Sequence, residues 1–112
     1  MKTKVLTSLN FRRRAKKLLK KYNSLKNDLK DLIVKLNNNP TLGVSLGNNC
    51  YKIRLAVQSK GKGKSGGVRI ISHLLYNVNL NNDSKIVVLL TIYDKSEFES
   101  ILDKDIIKLL TE

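Results

Sequence analysis

Cys50-Tyr51-Lys52-Ile53-Arg54-Leu55-Ala56-Val57 marks a change of period in the chain. Tyr51, Ile53, Leu55 and Val57 alternate with Lys52 and Arg54, so a strand here buries one face and wets the other. The predicted sheet therefore carries Lys52 and Arg54 together on its polar face. Downstream, Val68 to Val78 and Lys85 to Tyr93 read as further strands. The turn-rich stretch from Asn77 to Ser84 between them suits an antiparallel hairpin.

Upstream of Cys50 the period is helical. Asn10 is the expected cap of a helix carrying Phe11, Ala15, Leu18, Leu19 and Tyr22, and Leu25, Leu29, Leu32, Ile33 and Leu36 repeat that spacing fourteen residues later. A single continuous helix would also fit, because fourteen residues return an ideal helix to within about 40° of its starting face. Asn23-Ser24 favours a break, hence a helical pair. Asn37-Asn38-Asn39-Pro40 ends the pair, and Gly43 and Gly47 extend the turn. Before the helices, Met1 to Leu9 alternates in Val5, Thr7 and Leu9 and predicts a short strand. At the other end, Ser96 and Glu99 form a capping box opening a helix whose apolar face is Phe98, Ile101, Leu102, Ile106 and Leu109. The order β-α-α-β-β-β-α predicts an α+β fold: a small antiparallel sheet packed against an N-terminal helical pair and a C-terminal helix.

A chain of 112 residues suits a single domain, 1–112, with a modest aliphatic core. The lone Cys50 rules out an internal disulfide and a cysteine-built zinc site, so a cytoplasmic location is expected. No N-terminal stretch reads as a signal peptide, and the longest apolar run, Ile86-Val87-Val88-Leu89-Leu90, is far short of the roughly 18 residues of a membrane span.

Net charge is +13, unevenly spread: residues 1–82 carry 18 basic and 2 acidic side chains, residues 83–112 carry 4 and 7. Such a field attracts a polyanion, whether nucleic acid, ribosome or an acidic protein. The stretch Ser59-Lys60-Gly61-Lys62-Gly63-Lys64-Ser65-Gly66-Gly67 runs into Val68-Arg69. Its glycines let backbone approach a ligand closely, while Lys60, Lys62 and Lys64 supply ammonium groups for a phosphate chain. Lys52 and Arg54 on the strand, and Arg13 and Lys17 in the basic run of the first helix, are further candidates for nucleic-acid contact. The competing reading for each is an ordinary solvated charge.

Other motifs fail on inspection. Gly63-Lys64-Ser65 looks like the end of a P-loop, but Gln58 stands at the required earlier glycine and a strand follows where a helix is needed. His73 alone cannot run a two-histidine ribonuclease mechanism. Asp103 and Asp105 read as solubilising charge, and Cys50 as a small core residue.

Three blocks taken in order resemble the RelE/ParE superfamily of toxins, nearest its HigB-like branch: Asn49-Cys50-Tyr51-Lys52-Ile53-Arg54-Leu55, Gly63-Lys64-Ser65-Gly66-Gly67-Val68-Arg69, and Leu89-Leu90-Thr91-Ile92-Tyr93-Asp94-Lys95-Ser96-Glu97. The resemblance implies the toxin of a type II toxin-antitoxin system. Such a protein is a metal-independent endoribonuclease without cofactor that cuts messenger RNA in the ribosomal A site and is held inactive by a cognate antitoxin. It also implies a site. Arg69 matches the arginine following the family's glycines, and its planar fork suits two phosphate oxygens. Lys64 and Lys95 either bind phosphate or act as acid or base, and Tyr93 either stacks on a base, shares a proton or closes the core. Lys52 and Arg54 match the family's paired basic strand positions. RelE-like toxins proper carry an arginine where Ser96 stands and a tyrosine in the C-terminal segment, which has none here, so the acid and base stay unassigned. The alternatives are a ParE-like DNA gyrase inhibitor and a non-catalytic RNA- or ribosome-binding protein.

Overall fold

Alternation and helical spacing resolve into β1 (Lys2–Thr7), α1 (Leu9–Lys21), α2 (Leu25–Asn38), β2 (Val44–Gly47), β3 (Cys50–Leu55), β4 (Val68–Asn77) and β5 (Ser84–Asp94). These are the elements of a computed structural model that describes residues 2–61, 63, 66–77, 84–95 and 108. The fold is α+β, with helices packed on a mixed sheet. The expected C-terminal helix from Ser96 lies outside the described residues.

The helical pair is broken where Asn23-Ser24 predicted, but its first cap is Ser8, not Asn10. Ser8 Oγ accepts the N–H of Phe11 at 3.1 Å, so the helix opens at Leu9 and Asn10 falls inside its first turn. Ser8 is also tied to the sheet: its hydroxyl donates to Leu90 O at 2.7 Å and its N–H to Leu89 O at 3.0 Å. Phe11, Ala15 and Leu18 of α1 and Leu25, Leu32 and Leu36 of α2 are buried against the strands. Each fully buried leucine contributes about 2 kcal/mol. Lys20 and Lys21 close α1 and complement the negative end of its dipole.

The sheet order is β1-β5-β4-β3-β2. Two features depart from expectation. Val44–Gly47, read from its glycines as a turn, is an edge strand. It pairs with β3 through a hairpin whose loop is Asn48 and Asn49, with φ of 53° and 59°; asparagine tolerates this left-handed region, which the twist of a two-residue hairpin demands. Secondly, the sheet is mixed: β2 to β5 form an antiparallel meander, whereas β1 pairs with β5 in parallel. The helical pair carries the chain from β1 to the far edge, and the four-strand meander returns β5 beside β1 running in the same direction.

The two faces differ. Ile53, Val68, Ile70, Val87, Leu89 and Ile92 pack beneath the helices. Cys50, Ile71, Leu90 and Tyr93 form a smaller cluster on the opposite face. Leu90 reaches it through a bulge: Ile71 pairs with Thr91 and Ser72 with Leu89, leaving Leu90 as the extra residue of β5. No helix among the described residues is long and apolar enough to cross a membrane.

Candidate nucleic-acid interface

Strand register builds a row of functional groups. Arg54 on β3 lies directly opposite Arg69 on β4, which lies opposite Tyr93 on β5. Opposed side chains on neighbouring strands stand about 5 Å apart at Cβ. Ile53, Ile70 and Ile92, one residue away on each strand, point into the core beneath α1 and α2, so the row stands on the opposite face of the sheet, where Tyr93 joins the smaller cluster. Lys52 alternates to the same face as Arg54, opposite Ile71. The structure thus gathers Lys52, Arg54, Arg69 and Tyr93.

The row is electrostatically loaded. Arg69 is only 5% exposed; Arg54 is exposed and Lys52 half-buried. Burial draws the Arg69 pKa down, the like charge of Arg54 adds to this, and Tyr93 opposes it. A guanidinium nevertheless stays charged at any physiological pH. Two arginines in direct register repel, and an anion seated between them removes that repulsion. Burial pushes the Tyr93 pKa up, partly offset by Arg69, so the phenol is protonated at neutral pH and able to donate a hydrogen bond. Farther along the face, His73 pairs in register with Cys50; burial lowers the pKa of the imidazole and raises that of the thiol, leaving both uncharged near neutrality.

The remaining candidates are placed elsewhere. Lys60, an expected nucleic-acid contact, is turned toward the helices: its ammonium lies 2.7 Å from Asp94 Oδ1 and its side chain is 14% exposed. Tyr22 Oη donates to Asp94 Oδ2, and Lys21 Nζ stands 3.7 Å from the same oxygen. Lys21 and Lys60 also flank the Tyr22 ring, 5.3 and 5.5 Å from its centre. Lys95 is exposed, and its N–H donates to Gly67 O at 3.3 Å, joining the end of β5 to the return of the glycine-lysine loop. Gly67 is obligatory there, since a Cβ would lie 2.0 Å from Leu55 O. Arg13 and Lys17 are exposed on α1, across the sheet from Arg69. Lys62 and Lys64 lie outside the described residues.

Asp94, the buried carboxylate on which Tyr22, Lys21 and Lys60 converge, is the residue that sequence reasoning missed. The signal was available: an acid enclosed by Tyr93 and Lys95 in a strongly basic chain. A groove of about 400 Å³ also runs between α2 and β3, lined in part by Asp28, Asp31, Lys35, Lys52 and Arg54. Its two carboxylates make it a poorer complement to phosphate than the sheet face. Among the described residues no group of three His, Cys, Asp or Glu side chains converges as metal ligands would.

Among solved structures, the chain is similar to an arginine-to-alanine double mutant of the E. coli toxin RelE in the free state. The TM-score is 0.52 and the identity 19%, over 88% of this chain and 90% of that one. The likeness is one of fold, and the chain has a RelE-like fold. No protein-family model matches the chain, and no curated protein matches it.

Proposed function

We propose that this chain is the toxin of a type II toxin-antitoxin pair, a ribosome-dependent endoribonuclease that cuts messenger RNA and is neutralised by a cognate antitoxin. The observation that carries the reading is the Arg54–Arg69–Tyr93 row on the face of a RelE-like sheet opposite α1 and α2. Cleavage through a 2′-hydroxyl builds charge on the attacked phosphate, and preorganised donors that meet this charge lower the barrier. In this reading Arg69 grips the phosphate bidentately and Tyr93 donates to a phosphate oxygen. Arg54 and Lys52 hold the flanking backbone. Lys64 and Lys95 add cations from the loop and the end of β5. Arg13 and Lys17 meet ribosomal RNA through the helical layer. The antitoxin is an acidic segment that orders as it covers these cations.

The test is primer extension across a defined messenger in a reconstituted translation system, with the wild type and Arg69→Ala, in the presence and absence of ribosomes. Breaks that require ribosomes and fall by about 10²–10³ in the variant support the assignment. Intact messenger with wild-type protein overturns it and leaves gyrase inhibition or simple RNA binding, which a supercoiling assay separates.

A further inference from the structure

A carboxylate with no exposed surface needs partners, and Asp94, at 0% exposure, finds them in two separate segments. Tyr22 and Lys21 come from the end of α1, and Lys60 from the short turn Gln58–Lys60 that opens the glycine-lysine loop. The same turn is held at two further points. The N–H of Gln58 donates to Asp28 Oδ2 at 3.2 Å, and that of Ser59 to Ser24 Oγ at 2.8 Å. Gly61 then leaves the turn at φ 71°, its N–H still directed at Gln58 O. At the far end, Lys95, next after Asp94, holds Gly67 through its N–H. The opening end of the loop is thus held by Asp94 and its closing end by the next residue, both at the end of the strand bearing Tyr93.

We propose that Asp94 is a positioning residue which, through Lys60 and Tyr22, fixes the opening of the cationic loop at the end of β5, and that Lys60 is a tether rather than a phosphate contact. The loop's use as an RNA grip rests on the function proposed above; the tether itself does not. A charge-assisted pair at 14% exposure is only weakly screened, and an ammonium 2.7 Å from a fully buried carboxylate already has its charge matched. Lys60 is committed to the helix side of the sheet, while Arg69 faces the other way.

The experiment compares Lys60→Met, Lys60→Arg and Asp94→Asn in the full chain by amide hydrogen exchange and by cleavage of messenger on programmed ribosomes. Lys60→Met is expected to speed exchange at the Lys60, Gly61 and Lys95 amides by about tenfold or more while leaving the centres of α1 and β4 unchanged. It is expected to lower kcat by about tenfold to a hundredfold through misplacement of the loop. KM and the salt dependence of RNA binding stay as in the wild type, and Lys60→Arg restores most of the activity. Unchanged exchange, with a salt slope shallower by about one, overturns the proposal and makes Lys60 a phosphate contact. Should Asp94→Asn not fold, the Lys60→Met and Lys60→Arg pair decides. Should the wild type not cleave, the function falls but the exchange arm still judges the tether: faster exchange upholds it, and unchanged exchange overturns it.

Discussion

Arg69 combines permanent charge with 5% exposure and a like-charged neighbour in register, a costly placement that the proposed grip on phosphate offsets. Lysine in its place keeps the charge but loses the planar fork. Arg69→Lys is therefore expected to retain RNA affinity and lose about 10²-fold in cleavage, measured as kcat and KM on programmed ribosomes; full activity would show that charge alone suffices. His73 supplies a second test on the same face. Its pKa is depressed by burial, so between that lowered value and 6.5 the unfolded chain binds more protons than the folded one. Stability is then fully present above pH 6.5 and lost as pH falls through the folded pKa. Melting curves from about pH 7.5 to about pH 5 are expected to show a larger fall in Tm for wild type than for His73→Gln, and equal falls would remove His73 as the cause.

Elements are joined here by few polar atoms, and Ser8 shows how. Its hydroxyl caps α1 through Phe11 and reaches Leu90 O at the β5 bulge, so Ser8→Ala breaks a cap and a helix-to-sheet bond together. Denaturant unfolding is expected to show a loss of about 1–2 kcal/mol, against about 1 for a cap alone. The sequence made α1, α2, β3, β4 and β5 legible because each repeats its period often enough to be read. It hid what depends on a partner strand. Val44-Ser45-Leu46-Gly47 is too short for a period and is framed by glycines, so only its pairing with β3 makes it a strand. The parallel β1–β5 pair and the Leu90 bulge are likewise properties of register. For the site, alternation placed Lys52 and Arg54 on a shared face, but only register set Arg69 and Tyr93 in line with Arg54 and drew Lys60 away to Asp94.

At the scale of the whole molecule, positive charge is divided between two layers with the sheet between them. Arg12, Arg13, Lys16, Lys17, Lys20 and Lys21 are exposed along α1, while Arg54, Arg69 and Lys52 occupy the opposite face. Of the described carboxylates, Asp28 and Asp94 are buried and Asp31 is exposed, so little within the described surface neutralises either layer. The layers are expected to do different work. A helix surface of long, solvated cations gathers a polyanion through counterion release, which is steeply salt-dependent and indifferent to geometry. A row of rigid strand side chains, two of them buried, acts through position and responds little to salt. The double variant Arg13→Gln/Lys17→Gln should therefore weaken ribosome binding and flatten the plot of log K against log salt by roughly two, with kcat at saturating ribosomes unchanged. Arg69→Ala should do the reverse, lowering kcat with at most about one unit off the salt slope. Dissociation constants measured from about 50 to about 200 mM salt separate the two effects. An unaltered slope in the double variant would make the α1 cations a solvated helix face and leave recognition to the sheet alone.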